Sequence, residues 1–218
     1  MARVTGMADT RAMVTRVLFP TLVFQRSLKG PGWPRFNRDL GDECQALAAS
    51  DQAGLRWSAK DYIGGYTSYG SLDRLHLVSQ LFAGLRRRLD RHVKDFVGQL
   101  HYDLSGRTLA MTDCWVNVMP TGVAHSGHLH PTSFISGTYY VAVPRGAGAL
   151  KFEDPRLSRL MATPPRRSDA PRAFRSHVSL PGRAGDVILF ESWLRHEVPP
   201  ARYDGERISV SFNYGWSS

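Results

Sequence analysis

Arg207-Ile208-Ser209-Val210-Ser211-Phe212-Asn213-Tyr214 alternates residue by residue. Ile208, Val210, Phe212 and Tyr214 fall on one side of an extended chain, and Arg207, Ser209, Ser211 and Asn213 on the other, because side chains on a strand point to opposite faces in turn. Trp115, Asn117 and Met119 alternate in the same way with Val116 and Val118. The apolar face of such a strand packs on other elements. Its hydroxyl-and-amide face either lines a wet internal cavity or lies on an outer surface.

Working outward, residues 110–218 hold short strand-like runs separated by Gly/Pro turns. They are Cys114–Met119, Ile135–Val143, Ala149–Phe152, His177–Leu180, Asp186–Glu191, Leu194–Val198 and Arg207–Tyr214. Many short strands with turn signals predict a sandwich or barrel. The stretch from Pro155 to Gly185 includes Thr163-Pro164-Pro165-Arg166-Arg167 and reads as a long loop. Its basic 156–176 portion favours an anionic substrate.

Residues 1–109 read as support. Val17–Phe24 is expected to be a strand broken at Pro20, followed by a turn from Lys29 to Pro34 and a short helix around Leu40–Ala49. Residues 71–100 are expected to form one long helix, with Ser71 as N-cap and Asp73 in its first turn. Leu75, Val78, Leu81, Phe82, Leu85, Leu89, Val93, Phe96, Val97 and Leu100 recur at helical spacing and call for a flat partner such as a sheet. Arg86, Arg87, Arg88, Arg91 and Lys94 form its solvated side. The whole, 1–218, is expected to be a single domain: mainly β with helices, its β core packed against N-terminal helices. The N-terminal strand and helices offer a face for a homodimer.

The formal charge is +9, nearly all of the cations being arginine. Such a balance attracts anions, but no spacing of a known nucleic-acid module accompanies it, so nucleic acid is not an expected partner. No stretch reaches the roughly 20 apolar residues of a membrane span, and Met1–Gly6 lacks the apolar run of a signal peptide. Cys44 and Cys114 stand far apart in no CxxC arrangement, which fits a reducing, cytoplasmic setting.

Histidines cluster at His125, His128 and His130. On an extended segment His128 and His130 address one point, a normal start for a transition-metal site. His196 follows the apolar run Val187–Phe190 and is the candidate third ligand. Eleven residues later, Arg207 and Ser209 share a strand face. A guanidinium grips a carboxylate with two parallel hydrogen bonds, and the serine adds a third.

The run His125-x-x-His128-x-His130-Pro131-x-Ser133-x-x-Ser136-Gly137-x-Tyr139-Tyr140-Val141 resembles the 2-oxoglutarate/Fe(II) oxygenases of bacteria and phages. So do Gly148-x-Leu150-x-Phe152-x-Asp154-Pro155-Arg156, Gly185-Asp186-x-x-Leu189-Phe190-x-Ser192-Trp193-x-x-His196-x-Val198-x-Pro200, Arg207-Ile208-Ser209-x-Ser211-Phe212-Asn213, and the opening Leu18-Phe19-Pro20-Thr21. The resemblance implies a double-stranded β-helix (jelly-roll) and an Fe(II)- and 2-oxoglutarate-dependent dioxygenase acting on a small molecule or peptide. It implies that Arg207 and Ser209 hold the cosubstrate's far carboxylate, with Asn117, Tyr139 and Asn213 as further cosubstrate contacts. The sequence departs from the wider superfamily in having His130 where His-x-Asp/Glu is usual. Three ligand sets therefore stay open: His128, His130 and His196 together; two of these with Asp154; or His130 and His196 with water or halide. His125 is a spare imidazole for a substrate or supporting contact, and Trp115 and Trp193 are expected in the core. The alternative function is a cupin-like metal-binding protein without oxygenase activity.

Overall fold

The computed structural model describes residues 15–217; Met1–Gly6 lies outside them. Among the described residues ten strands are present: β1 Val23–Ser27, β2 Tyr66–Thr67, β3 Leu109–Pro120, β4 His125–His128, β5 Ile135–Ala142, β6 Leu150–Glu153, β7 His177–Leu180, β8 Asp186–Glu191, β9 His196–Val198 and β10 Glu206–Trp216. They form two antiparallel sheets. The major sheet runs β1-β8-β5-β10-β3-β2 and the minor sheet β4-β9-β6-β7. Removing the edge strands β1 and β2 leaves two facing four-stranded sheets, the double-stranded β-helix.

Four helices cover the outer face of the major sheet or its edge: α1 Trp33–Ser50, α2 Gln52–Asp61, α3 Leu75–Val78 and α4 Gln80–Gln99. Phe82, Leu85, Leu89, Val93 and Phe96 of α4 and Leu40 of α1 join Ile208, Val210, Phe212 and Tyr214 of β10 in one buried core. Each fully buried side chain of this size contributes roughly 1.5–3 kcal/mol. Gly137 of β5 keeps this layer thin, since a Cβ there would stand 2.6 Å from the Phe212 ring. A second, smaller core lies between the two sheets and includes Met119, Tyr140, Phe152, Ile188 and Phe190. The alternation of β10 and β3 thus falls as the sequence predicts.

The N-terminal half differs from expectation. Residues 17–20 form no strand; β1 begins at Val23, where it can pair with β8 from Val23↔Phe190 to Ser27↔Asp186. The first helix begins at Trp33 rather than near Leu40, with Pro34 in its opening turn, where a missing N–H leaves no bond unmade. Helix α2 was not expected at all.

The expected 71–100 helix is broken. Residues 73 and 74 are drawn to the edge of β3, where Cys114 N donates to Asp73 O at 2.6 Å. The Ser71 hydroxyl donates to Asp51, the residue that caps α2 by accepting from Gly54 N. The true N-cap of the long helix is Ser79, whose Oγ accepts from Leu81 N and Phe82 N. Val78 consequently falls off the buried stripe and is exposed. Arg87, Arg88, Arg91 and Lys94 are solvated as expected, whereas Arg86 is half-buried. Cys44 and Cys114 are buried free thiols. Among the described residues, no helix is long and apolar enough to cross a membrane.

Candidate metal centre and carboxylate anchor

Three histidines converge at one end of the space between the sheets. β4 pairs with β9 so that His128 lies opposite His196, their ring centroids 4.4 Å apart. His130 lies two residues past the end of β4 and is tied there by its N–H to Ser192 O at 2.9 Å. Its ring stands 5.1 Å from that of His128 and 5.2 Å from that of His196. One ligand nitrogen from each of the three falls within 4.8 Å of the other two.

The hydrogen bonds behind the rings decide which nitrogens are free. His128 Nδ1 lies 2.8 Å from Ser126 O, and His196 Nδ1 lies 2.9 Å from Leu194 O. A carbonyl only accepts, so both Nδ1 atoms carry the proton and both Nε2 atoms keep a lone pair. His130 Nδ1 lies 2.6 Å from Asn213 Oδ1. The Asn213 amide NH2 donates to the Asp113 carboxylate at 3.2 Å, which turns its oxygen toward His130. Nε2 of His130 is therefore the free nitrogen too. Burial pushes the imidazolium pKa of His130 down to about 4 and of His196 to about 3, and lowers that of His128. All three are neutral imidazoles near neutral pH, as ligands must be.

Asp154 does not join them. Both its carboxylate oxygens accept from the Arg156 guanidinium at 2.9 Å, and one also accepts from Arg156 N. Asp154 stands outside the group of ligand atoms within mutual reach. His125 stacks almost parallel on His128, centroids 4.4 Å apart and planes 16° from parallel, with Tyr62 edge-on at 5.1 Å. The ligand nitrogens within mutual reach are those of His128, His130 and His196, so His125 stands beside the triad.

Arg207 is buried at 2 % exposure on the cavity face of β10. Its Nη1 donates to Ser209 Oγ at 3.2 Å and touches Met119 Sδ at 3.4 Å, while Nε has no partner among the described residues. A buried guanidinium with no carboxylate to answer it is an expensive arrangement for a folded protein. Other buried polar atoms without partners collect around it: Asn117 Oδ1, Thr138 Oγ1 and the hydroxyls of Tyr62 and Tyr140. The Arg207 guanidinium lies 5.0 Å from the Tyr140 ring. Burial raises the pKa of both phenols, so they remain protonated donors. Arg207, Ser209, Asn117 and Thr138 line the same cavity as the three histidines.

Several expected positions move. Tyr139 lies on the helix side of β5, where its hydroxyl accepts from Trp33 Nε1 and donates to Asn37 Oδ1. Tyr140, of the opposite parity, takes the place beside Arg207. The sequence held the signal, because Ser136, Thr138 and Tyr140 are the polar-bearing alternation and Ile135, Tyr139 and Val141 join the helix-side core. Asn213 is placed behind His130 rather than in the cavity. Trp115 lines the cavity, and Trp193, expected in the core, is 45 % exposed. Tyr62, at the end of α2, carried no sequence signal. The 154–176 insertion holds two short 3-10 turns, Leu157–Arg159 and Arg172–Phe174. It leaves β6 beside Arg195, where Glu153 N donates to Arg195 O, and is clasped at its base by Asp154 N to Ser176 O.

Fold and site together define a jelly-roll with a histidine triad at one end of its cavity and a buried cationic anchor in the same cavity. Residues 113–213 match the family model described as "Putative 2OG-Fe(II) oxygenase". Among solved structures it is similar to a Pseudomonas putida prolyl-4-hydroxylase, with 17 % identity over 91 % of this chain and 94 % of that one and a TM-score of 0.60. HygX from Streptomyces hygroscopicus, solved with nickel and 2-oxoglutarate, is 16 % identical over 89 % of this chain and 82 % of its own, with a TM-score of 0.59. SnoN, a non-heme alpha-ketoglutarate-dependent epimerase from nogalamycin biosynthesis, is 16 % identical over 89 % and 78 %, also at 0.59. At such identities these likenesses speak for the fold. A comparison with curated protein sequences finds no match.

Proposed function

We propose that this chain is an Fe(II)- and 2-oxoglutarate-dependent dioxygenase that hydroxylates a small molecule or peptide. On this reading His128, His130 and His196 hold the metal through Nε2, and Arg207 with Ser209 holds the far carboxylate of the cosubstrate. The observation that carries it is the buried Arg207, unanswered by any acid among the described residues, in the same cavity as three neutral imidazoles. A dicarboxylate spans the two ends, giving one carboxylate to the cation at each. A metal-binding protein without oxygenase activity has no task for Arg207.

The bound metal and cosubstrate would supply the activation of dioxygen and the cleavage of a C–H bond; the protein supplies position. Its backbone acceptors and Asn213 orient the imidazoles. The Thr138, Tyr62 and Tyr140 hydroxyls donate to a bound dicarboxylate, and Asn117 does so through the second hydrogen of the amide that already serves Ser211. The two-sheet core excludes water from behind it. Substrate enters on the side of His125 and His128, where Arg195 stands at the rim and the basic 156–176 segment favours an anionic group.

The test is release of carbon dioxide from carboxyl-labelled 2-oxoglutarate by protein reconstituted anaerobically with Fe(II) and then exposed to oxygen. Slow release is expected even without substrate, and it should vanish when Fe(II) is omitted. Metal binding with no cosubstrate turnover and no cosubstrate-dependent absorption band would instead indicate the cupin-like alternative.

A further inference from the structure

A line of aromatic rings joins the metal centre to the surface. The Trp115 ring centroid lies 5.8 Å from that of His130. Tyr69 meets Trp115 edge-on at 5.1 Å, and Trp57 meets Tyr69 at 6.3 Å. Trp115 is 4 % exposed, whereas Tyr69 is 51 % exposed. Gly70 would place a Cβ 2.3 Å from the Trp57 ring, so the backbone itself is fitted closely to this row. Trp57 and Tyr69 come from α2 and the segment after β2, outside the span that matches the oxygenase family.

Tryptophan and tyrosine are the neutral side chains most easily oxidised by one electron, and rings in near contact pass an electron faster than a trapped oxidant attacks a C–H bond at random. We propose that Trp115, Tyr69 and Trp57 form a discharge path that protects the centre when 2-oxoglutarate is consumed with no substrate in reach. This rests on the oxygenase reading given above. Trp115 gives one electron to the oxidised centre. Tyr69 restores Trp115, losing one electron and passing its phenol proton to solvent. A small water-soluble reductant, ascorbate or a thiol, then returns an electron and a proton to Tyr69 at the surface, with Trp57 sharing the oxidised state. Two such transfers would supply two electrons, which with two protons from solvent account for the reduction of one unspent oxygen atom to water.

The experiment compares wild-type protein with Tyr69→Phe, which keeps the ring packing and removes the phenol, under Fe(II), 2-oxoglutarate and oxygen without substrate. The readouts are the number of cosubstrate turnovers before inactivation, ascorbate consumed per turnover, and the position of oxygen insertion found by peptide mass mapping. In the wild type, a transient phenoxyl absorption and a low yield of oxidised Trp115 are expected. Tyr69→Phe should lose the phenoxyl signal, inactivate severalfold sooner and accumulate oxidation on Trp115. Trp193, exposed but off the row, serves as the internal control. Unchanged turnover number and ascorbate use in the variant, or oxidation spread equally to Trp193, would overturn the path while leaving the oxygenase reading intact. Absence of all 2-oxoglutarate turnover in the wild type would instead bring down the reading on which the path rests.

Discussion

The two faces of the major sheet are made from the same strands and do opposite work. On the helix side, Ile208, Val210, Phe212 and Tyr214 meet α1 and α4 in a buried apolar layer. On the cavity side, one residue away in each case, Arg207 has no counter-ion among the described residues, and Asn117, Thr138 and Tyr140 of the neighbouring strands leave polar atoms without partners there. One face releases free energy when the chain folds. The other retains part of the desolvation penalty until a ligand fills it. The lesson is that period-two alternation lets one strand stabilise the fold and hold a binding site without compromise between the two.

The separation can be tested from its most drastic consequence downward. His196→Ala should leave the reconstituted protein almost without metal and abolish cosubstrate turnover; metal analysis showing full occupancy would sink the ligand assignment. Phe212→Ala, on the other face, should lower unfolding free energy by about 3–5 kcal/mol in denaturant titration. The folded protein should still bind metal normally, and a large loss of metal affinity at unchanged stability would break the division between faces.

On the proposed reading, Arg207→Ala removes a charge-assisted anchor of roughly 1.5–3 kcal/mol. Cosubstrate affinity, read by titration of the metal-loaded protein, should fall by about one to two orders of magnitude with metal content unaltered. Stability should hold or rise, because a buried cation without a partner is removed. Equal losses of metal and cosubstrate would make Arg207 a structural residue.

The smallest expected effect belongs to the helix side. His92 of α4 is buried, and burial first, then Arg26 and Arg91, lowers its pKa below the usual 6.5. A lowered imidazole pKa means that the unfolded chain binds more protons, so its contribution is complete above about pH 6.5 and is lost as pH falls. The apoprotein should therefore unfold more readily as pH drops below that point, and His92→Leu should flatten the slope. An identical pH profile in the variant would show that His92 contributes nothing to it.

The C-terminal half was legible because its periodicity is short and its constraints local. Strand spacing located the polar face of β10, and the structure departs from it at Tyr139 and Tyr140, whose parity is reversed. The N-terminal half was less legible. The helical pattern continues across Ser79, and nothing local says that Asp73 will pair with Cys114 or that Ser71 will serve Asp51. Those partners are distant in sequence, and their pull on the chain exceeds the weak preference of four residues to stay helical.

By itself the sequence determined the jelly-roll class, the alternation that divides core from cavity, and the residue types able to hold a metal and a carboxylate. Only the tertiary structure decided which side chains stand together at the end of the cavity. His130 lies past its strand, held by Ser192 and turned by Asn213, while Asp154 is occupied by Arg156. Backbone spacing governs where a side chain starts; which atoms it faces depends on neighbours brought from elsewhere in the chain. That is why His128-Leu129-His130 could be read as a metal-binding segment from its letters, and why the triad it completes needed the fold.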